Sequence, residues 1–178
     1  MPPDWPRGYI QLYTGDGKGK TTMALGLALR AAGHGLRTYI GQFMKSLPSG
    51  ERQATARLGD LITIETYGSR VWQRHPDQPD PAEVARARDG LARAREAMLS
   101  GRYRIIVLDE VNVAIFFHLL TVAEVLEFVR AKPEPVELVL TGRRAPPELI
   151  EAADLVSEVR PIKHYFDRGV PARPGIEE

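Results

Sequence analysis

The sequence predicts an α/β fold in which helices cover both faces of a mainly parallel sheet. Short apolar runs recur along the chain with helical segments between them, which is the pattern of successive βα units. A glycine-rich loop joins the first apolar run to an amphipathic segment. The 178 residues, 43% of them hydrophobic, suffice for one domain with a sizeable core. We therefore expect a single three-layer domain over residues 1–178, with 1–8 as a short arm and 160–178 as a tail.

The first half of the chain contains three predicted strands and two predicted helices. The residues of the first strand alternate and have high strand propensity, and Gly33-His34-Gly35 ends the helix that follows. A polar stretch with proline and glycine precedes the short second helix. The predicted strands are Tyr9–Tyr13, Thr38–Phe43 and Leu61–Tyr67, and the predicted helices are Thr22–Ala32 and Gln53–Leu58.

The second half begins with a long helix whose start is well marked. Asp80 is the predicted N-cap with Pro81 at the first helical position, and the helix runs to Leu99. Further along, Thr121 and Glu124 form a capping box that opens a helix ending at Arg130. The remaining predicted elements are the strands Arg104–Glu110, Val136–Thr141 and Leu155–Val159 and a short helix, Pro146–Ala153.

The loop after the first strand predicts a phosphate site. Three alternate glycines allow the backbone to approach an anion, and the next helix presents its positive end there. Lys20 adds a charge for the phosphates, and Thr21 a hydroxyl for magnesium. Thr14 stands where the usual pattern has glycine, and a plain surface turn is the alternative. The expected nucleoside triphosphate ligands are Thr14, Gly15, Asp16, Gly17, Lys18, Gly19, Lys20, Thr21 and Thr22. These features indicate a P-loop NTPase fold of the RecA-like type.

Two carboxylates end the apolar strand Arg104–Glu110. A parallel sheet presents ligands at this end, and a phosphate loop needs a metal-binding carboxylate from a neighbouring strand. We expect Asp109 to hold Mg²⁺ (or Mn²⁺) together with Thr21. Glu110 is expected to bind the metal, to orient a water molecule or to contact ribose, and spacing alone does not choose among these. The alternative is that acidic residues simply end this strand.

Composition argues against several classes of function. The 24 basic and 23 acidic residues nearly balance, so no global field favours nucleic acid. The basic residues of the long helix alternate with acidic ones on what we interpret as a solvated face, namely Arg86, Arg88, Arg93 and Arg95 with Glu83, Asp89 and Glu96. The absence of cysteine excludes disulfides and thiolate sites. Neither a signal peptide nor a membrane span is found, so we expect a cytoplasmic protein without a membrane partner.

Taken together, the motifs resemble the P-loop ATP:corrinoid adenosyltransferase family over nearly the whole chain. Thr14, unusual for phosphate loops in general, is normal for this family. The segments that carry the resemblance are Tyr13–Thr22, Ala31–Gly35, Gln42–Lys45, Leu108–Asn112, Leu140–Ile150 and Lys163–Phe166.

The resemblance implies transfer of the 5′-deoxyadenosyl group of ATP to the cobalt(I) of a corrinoid, with release of triphosphate. The acceptor would be cob(I)yrinic acid a,c-diamide or cob(I)alamin, in adenosylcobalamin biosynthesis or salvage. The resemblance also implies Mg²⁺ or Mn²⁺ as the metal cofactor, a homodimer and a reduced flavoprotein as electron donor. The residues expected to act in catalysis are Lys20, Asp109, Glu110 and Arg143. For Arg143, which follows the end of a strand, an exposed loop arginine is the alternative.

The corrinoid contacts are expected near Trp72. The family carries a Gly-Phe-x-Trp-like segment there, and this chain has Arg70 or a one-residue deletion in place of the phenylalanine. Trp72 as a packing residue is the alternative. We expect His164 to be structural, with the tail closing over a substrate.

Two other functions remain open at the level of sequence. One is a P-loop NTPase or small-molecule kinase in which Glu110 positions the nucleophile. The other is a non-catalytic, nucleotide-dependent binding or switch protein.

Overall fold

One six-stranded sheet forms the centre of the protein. A computed structural model describes residues 5–46, 50–69 and 78–176. All paired strands are parallel, and their order across the sheet is β3-β2-β4-β5-β1-β6. The strands are β1 Ile10–Thr14, β2 Thr38–Phe43, β3 Ile62–Tyr67, β4 Ile105–Asp109, β5 Glu137–Thr141 and β6 Leu155–Glu158.

Helices cover both faces of this sheet. Short 3₁₀ segments lie at Ala56–Leu61 and Tyr165–Arg168. Within the described ranges, no helix has both the length and the apolar character needed to cross a bilayer. The α-helices are α1 Lys20–Ala32, α2 Gly50–Thr55, α3 Pro81–Leu99, α4 Val111–Phe116, α5 Val122–Arg130 and α6 Pro147–Ala152.

The central strand β4 separates two hydrophobic clusters. Ile106 and Leu108 pack with buried residues of α3, α4, α5 and α6 on one face. Ile105 and Val107 pack with buried alanines of α1 on the other face. Successive residues of a strand point to opposite faces, so a strand buried on both sides is apolar throughout. This arrangement confirms the predicted three-layer α/β domain and its mainly parallel sheet.

Local capping signals locate two helix starts correctly. The Asp80 carboxylate accepts a hydrogen bond from the Ala82 amide at 2.8 Å, with proline next in the chain at the helix start. At α5, the Thr121 hydroxyl accepts from the Glu124 amide at 3.2 Å, and the Glu124 carboxylate accepts from the Thr121 amide at 2.7 Å. These three hydrogen bonds satisfy amides at the helix starts that have no partner within the helix.

Three α-helices differ from the sequence prediction by more than one residue at an end. Helix α1 begins at Lys20 rather than Thr22. The segment predicted as a helix at Gln53–Leu58 is α2 followed by 3₁₀ turns, broken at Gly59, whose φ is 64°. Helix α4 was not predicted, because its apolar and β-branched sequence carries no helical signal and only the turn at Glu110 separates it from β4.

Arginines of α3 form ion pairs, but the predicted solvated face is wrong for Glu83, which is buried with 7% of its surface exposed. Arg93 pairs with Asp89 of the same helix at 3.1 Å. Arg88 instead reaches Glu124 of α5 at 2.7 Å, and Arg95 pairs with a second α5 carboxylate. The face is therefore partly a contact between two helices.

Candidate nucleotide and metal site

The phosphate loop runs from the end of β1 to the start of α1. Gly15 and Gly19 have φ values of 93° and 123°, a region in which residues with a side chain are strained. A Cβ at Gly15 or Gly17 would lie 2.4 or 2.8 Å from Val159, so these glycines let the chain leaving β6 pass against the loop.

One loop amide is already used within the protein. The Gly17 amide donates to the Val159 carbonyl at 2.7 Å, and the Val159 amide donates to the Thr14 carbonyl at 2.8 Å. The Gly17 amide therefore has a partner within the protein, and its expected role as a phosphate donor stays a prediction. The first-turn amides of α1, from Lys20 to Thr22, are the ones a helix presents to an anion.

The Lys20 ammonium lies inside the loop. It donates to the carbonyl oxygens of Gly15 at 2.6 Å and Gly17 at 2.8 Å. Only 5% of Lys20 is exposed, and this burial lowers the pKa of its ammonium, while the nearby charge of Glu110 raises it. The predicted phosphate-binding charge is thus in place beside the loop backbone.

Asp109 is the centre of the site. Its carboxylate is fully buried at the end of β4 and accepts from four side chains. Thr21 and Thr141 donate their hydroxyls to Oδ1 at 2.9 and 2.7 Å. Gln42 Nε2 and Lys45 Nζ donate to Oδ2 at 3.1 and 3.0 Å. The structure therefore brings the predicted pair Thr21 and Asp109 into direct contact.

From the sequence we expected the strand that carries Asp109 to be the neighbour of the phosphate-loop strand. The structure shows that it is not. β5 lies between β1 and β4 and places Thr141 beside the carboxylate. Sequence reasoning missed Thr141, Gln42 and Lys45. Thr141 and Gln42 are polar residues near the carboxyl ends of apolar strands, where parallel sheets present ligands, and that signal was available.

Glu110 begins α4 in a left-handed conformation with φ of 60°. Its amide donates to the Thr141 hydroxyl at 2.9 Å. Burial raises the pKa of its carboxyl, and the charge of Asp109 raises that pKa further, against the opposing charges of Lys45, Lys20 and Arg143. Glu110 therefore shares one electrostatic environment with the other predicted catalytic residues.

The loop that carries Arg143 is anchored from two sides. Asn112 of α4 donates its amide to the Gly142 carbonyl at 3.0 Å, and Ala145 donates its backbone amide to the Thr14 hydroxyl at 3.4 Å. Glycine could not accept this second bond, which gives Thr14 a structural role. Arg143 itself is exposed, and its charge reaches Lys20, where it contributes to lowering the pKa.

The C-terminal tail returns to the phosphate loop. Lys18 donates to the Ile176 carbonyl at 2.9 Å. His164 Nδ1 accepts from the Phe166 amide at 3.1 Å and caps a 3₁₀ turn, in keeping with the structural role expected for this histidine. Arg70 and Trp72, the residues expected near the corrinoid, lie outside the described residues.

The residues around Asp109 fit a divalent cation such as Mg²⁺. Thr21 and Asp109 supply a hydroxyl and a carboxylate, the hard oxygen ligands that Mg²⁺ prefers. Gln42 Oε1 is buried and has no hydrogen-bond partner among the described residues. The described residues contain no group of three or more histidine, cysteine, aspartate or glutamate side chains suited to a metal. Such an ion would therefore complete its coordination with water molecules, or with phosphate oxygens when nucleotide is bound.

Comparison with known proteins agrees with this geometry. Residues 6–177 match the profile of the family described as ATP:corrinoid adenosyltransferase BtuR/CobO/CobP. A corrinoid adenosyltransferase of Sinorhizobium sp. is 37% identical over 175 residues, which cover 96% of this chain and 80% of the relative. The corrinoid adenosyltransferase of Escherichia coli K12 is 35% identical, and that of Salmonella typhimurium 36%, each over 96% of this chain and 86% of the relative. The chain belongs to the ATP:corrinoid adenosyltransferase family.

Proposed function

We propose that this protein transfers the 5′-deoxyadenosyl group of ATP to the cobalt(I) of cob(I)yrinic acid a,c-diamide or cob(I)alamin, in adenosylcobalamin biosynthesis or salvage. ATP-dependent adenosyl transfer to a corrinoid is the function of its family, and the kinase and switch interpretations are not favoured. The observation that carries the proposal is the contact of the Thr21 hydroxyl with buried Asp109, directly beside a phosphate loop that holds Lys20.

The proposed reaction requires little acid–base catalysis by the protein. Cobalt(I) donates an electron pair to C5′ of the ribose, the cobalt–carbon bond forms, and the C5′–oxygen bond breaks with its electrons passing to triphosphate. The nucleophile loses no proton, so no general base is required. The protein must instead hold C5′ in line with cobalt and neutralise the charge on the leaving triphosphate.

We assign this neutralisation to residues at the carboxyl ends of the strands. Lys20 would donate its third N–H to a phosphate oxygen while its two loop carbonyls hold it in place, aided by the first-turn amides of α1. Arg143 would add a guanidinium from the loop after β5. A bound Mg²⁺ or Mn²⁺ ion, held by Thr21 and Asp109, would supply further positive charge to the phosphates. Glu110 would accept a hydrogen bond from a metal-bound water or a ribose hydroxyl.

An anaerobic assay with ATP, Mg²⁺ and chemically reduced cobalamin tests the reaction. We expect the cobalt(I) absorbance to disappear while a light-sensitive cobalt–carbon product and inorganic triphosphate form. Formation of ADP and orthophosphate with the corrinoid untouched would instead indicate a phosphotransferase or hydrolase. Parallel reactions with cob(I)yrinic acid a,c-diamide would compare the two proposed acceptors.

The corrinoid side of the site is proposed from the resemblance. We assign Trp72 to the lower face of the corrin, where it would favour the reducible form of cobalt(II). Replacement of Trp72 by alanine should then slow adenosylation from cobalt(II) under a flavoprotein reductant far more than adenosylation of chemically reduced cobalt(I). Equal effects on both reactions would contradict this role.

The proposed assembly also rests on the resemblance to the family. We propose one nucleotide-binding domain over residues 1–178, with 1–8 as an arm and 160–178 as a tail, acting as a cytoplasmic homodimer that receives electrons from a reduced flavoprotein. Sedimentation at several protein concentrations would test the dimer. Titration with a reduced flavoprotein would test the electron donor.

A further inference from the structure

A lysine ammonium lies in the place proposed for the divalent cation. Lys45 Nζ is 3.0 Å from Asp109 Oδ2 and 3.4 Å from Thr21 Oγ1. These are the two residues to which we assign the metal. Lys45 follows β2 by two residues and was not among the site residues expected from the sequence.

The contact places an opposite charge beside the buried Asp109 carboxylate. A buried carboxylate is costly unless an opposite charge or several hydrogen bonds compensate it. Thr21, Thr141 and Gln42 donate to Asp109 as neutral groups, whereas Lys45 brings a positive charge. Lys45 is therefore the counter-ion of Asp109 in the nucleotide-free protein.

The same position cannot serve two cations at once. A divalent ion bound to Thr21 and Asp109 would repel an ammonium that contacts the same two residues. Lys45 is free to leave, because its side chain is 30% exposed and has a long flexible stem, whereas Asp109 is fully buried. The triphosphate that arrives with the metal would offer the ammonium a new negative partner.

We propose that Lys45 is a mobile counter-ion, which neutralises Asp109 in the nucleotide-free protein and moves onto the triphosphate when metal and nucleotide bind. This inference rests on the proposed function for the identity of the anion. Lys20 differs from Lys45 because it is only 5% exposed and is held by two loop carbonyls. One ammonium is thus fixed in the loop and the other exchanges between two partners.

The proposal predicts effects of opposite sign for one substitution. In the absence of nucleotide, Lys45→Met removes a competitor of the metal, so Mn²⁺ should bind about tenfold more tightly, measured by electron paramagnetic resonance. The same variant lacks one charge that would bind phosphate. Its affinity for inorganic triphosphate in the presence of Mg²⁺, measured by calorimetry, should therefore fall about tenfold. Lys45→Arg should retain most of the triphosphate affinity.

Arg57→Met is the matched control, because it removes one exposed basic side chain of the 3₁₀ segment that precedes β3 and the same net charge. It should change neither Mn²⁺ nor triphosphate affinity. Weaker binding of both ligands by Lys45→Met would indicate structural damage, and equal or undetectable Mn²⁺ binding in wild type and variant would show no competition. Either result overturns the proposal. Because both measurements omit corrinoid, failure of adenosyl transfer with these shifts intact would count against the proposed reaction alone.

Discussion

Two fully buried strand threonines differ in their hydrogen bonding and test the network around Asp109. Thr141 donates to Asp109 at 2.7 Å and accepts from the Glu110 amide at 2.9 Å. Thr38 is equally buried, and its hydroxyl has no partner among the residues that the structure describes. A buried group that loses its partner costs about 1–3 kcal/mol, whereas removing an unpaired hydroxyl does not.

We therefore expect Thr141→Val to lower the free energy of unfolding by about 1–3 kcal/mol. Thr38→Val should leave that free energy unchanged or raise it. Urea unfolding monitored by circular dichroism measures both variants under the same conditions. If both variants lose the same free energy of unfolding, the hydrogen bonds of the Thr141 hydroxyl contribute nothing to stability.

The charge of Glu110 should make stability depend on pH. Burial, then the Asp109 charge, raises the pKa of this carboxyl. A group with a raised folded pKa contributes stability that is fully present below its unfolded pKa, ~4.3, and is lost as the pH rises through the folded value. Glu110→Gln removes that loss, so the variant should be more stable than wild type at pH 7.

Unfolding measured in urea at pH values from 4 to 7 tests this expectation. The advantage of Glu110→Gln over wild type should shrink toward pH 4, where most of the wild-type carboxyl is protonated in both states. An advantage that is independent of pH would mean that ionisation of Glu110 is not its cause.

At the scale of elements, glycines in two helices have opposite surroundings. A Cβ at Gly90 of α3 would lie 2.3 Å from the Tyr67 ring, so α3 packs on β3 through this glycine. A Cβ at Gly26 of α1 would meet nothing within 4 Å. Alanine is favoured over glycine inside a helix by about 1 kcal/mol when space allows.

Gly26→Ala should therefore raise the free energy of unfolding by up to about 1 kcal/mol. Gly90→Ala should lower it by about 1–3 kcal/mol, because overpacking outweighs helix propensity. Thermal and urea unfolding of both variants would measure the two changes. Stabilisation by Gly90→Ala would show that α3 shifts away from Tyr67 at little cost.

For the whole molecule, ligand binding should add to folding stability. A ligand that binds only the folded state at about 100 times its dissociation constant stabilises that state by about 2.7 kcal/mol. Mg²⁺ with ATP should therefore raise the melting temperature of the wild type, and a chelator should remove most of this gain.

Lys20→Ala should lose most of the gain at the same ligand concentration, because its ammonium no longer reaches the phosphates. Gly26→Ala, exposed on α1 outside the loop, is the control and should keep the gain. Differential scanning fluorimetry with and without chelator gives both values. A full gain in Lys20→Ala would place the phosphates away from this lysine.

Much of the molecule could be predicted from the sequence because the signals are local. The caps at Asp80 and Thr121 act within three residues, and strand burial appears as continuous apolar runs. The glycines and Lys20 mark the phosphate loop in the same way. Helix α4 was missed because its six residues carry no such local signal.

The sequence by itself determined the α/β class and the phosphate loop, since both depend on residue types at short spacing. Asp109 could be expected beside the loop because it ends an apolar strand, where parallel sheets present ligands. Only the tertiary structure decided that β5 separates β1 from β4, which brings Thr141 to Asp109 across 32 positions of sequence. It likewise decided that Lys45 lies in the proposed cation position, 64 positions from Asp109. Strand order and side-chain contacts of this range depend on the packing of the complete sheet, which no local pattern encodes.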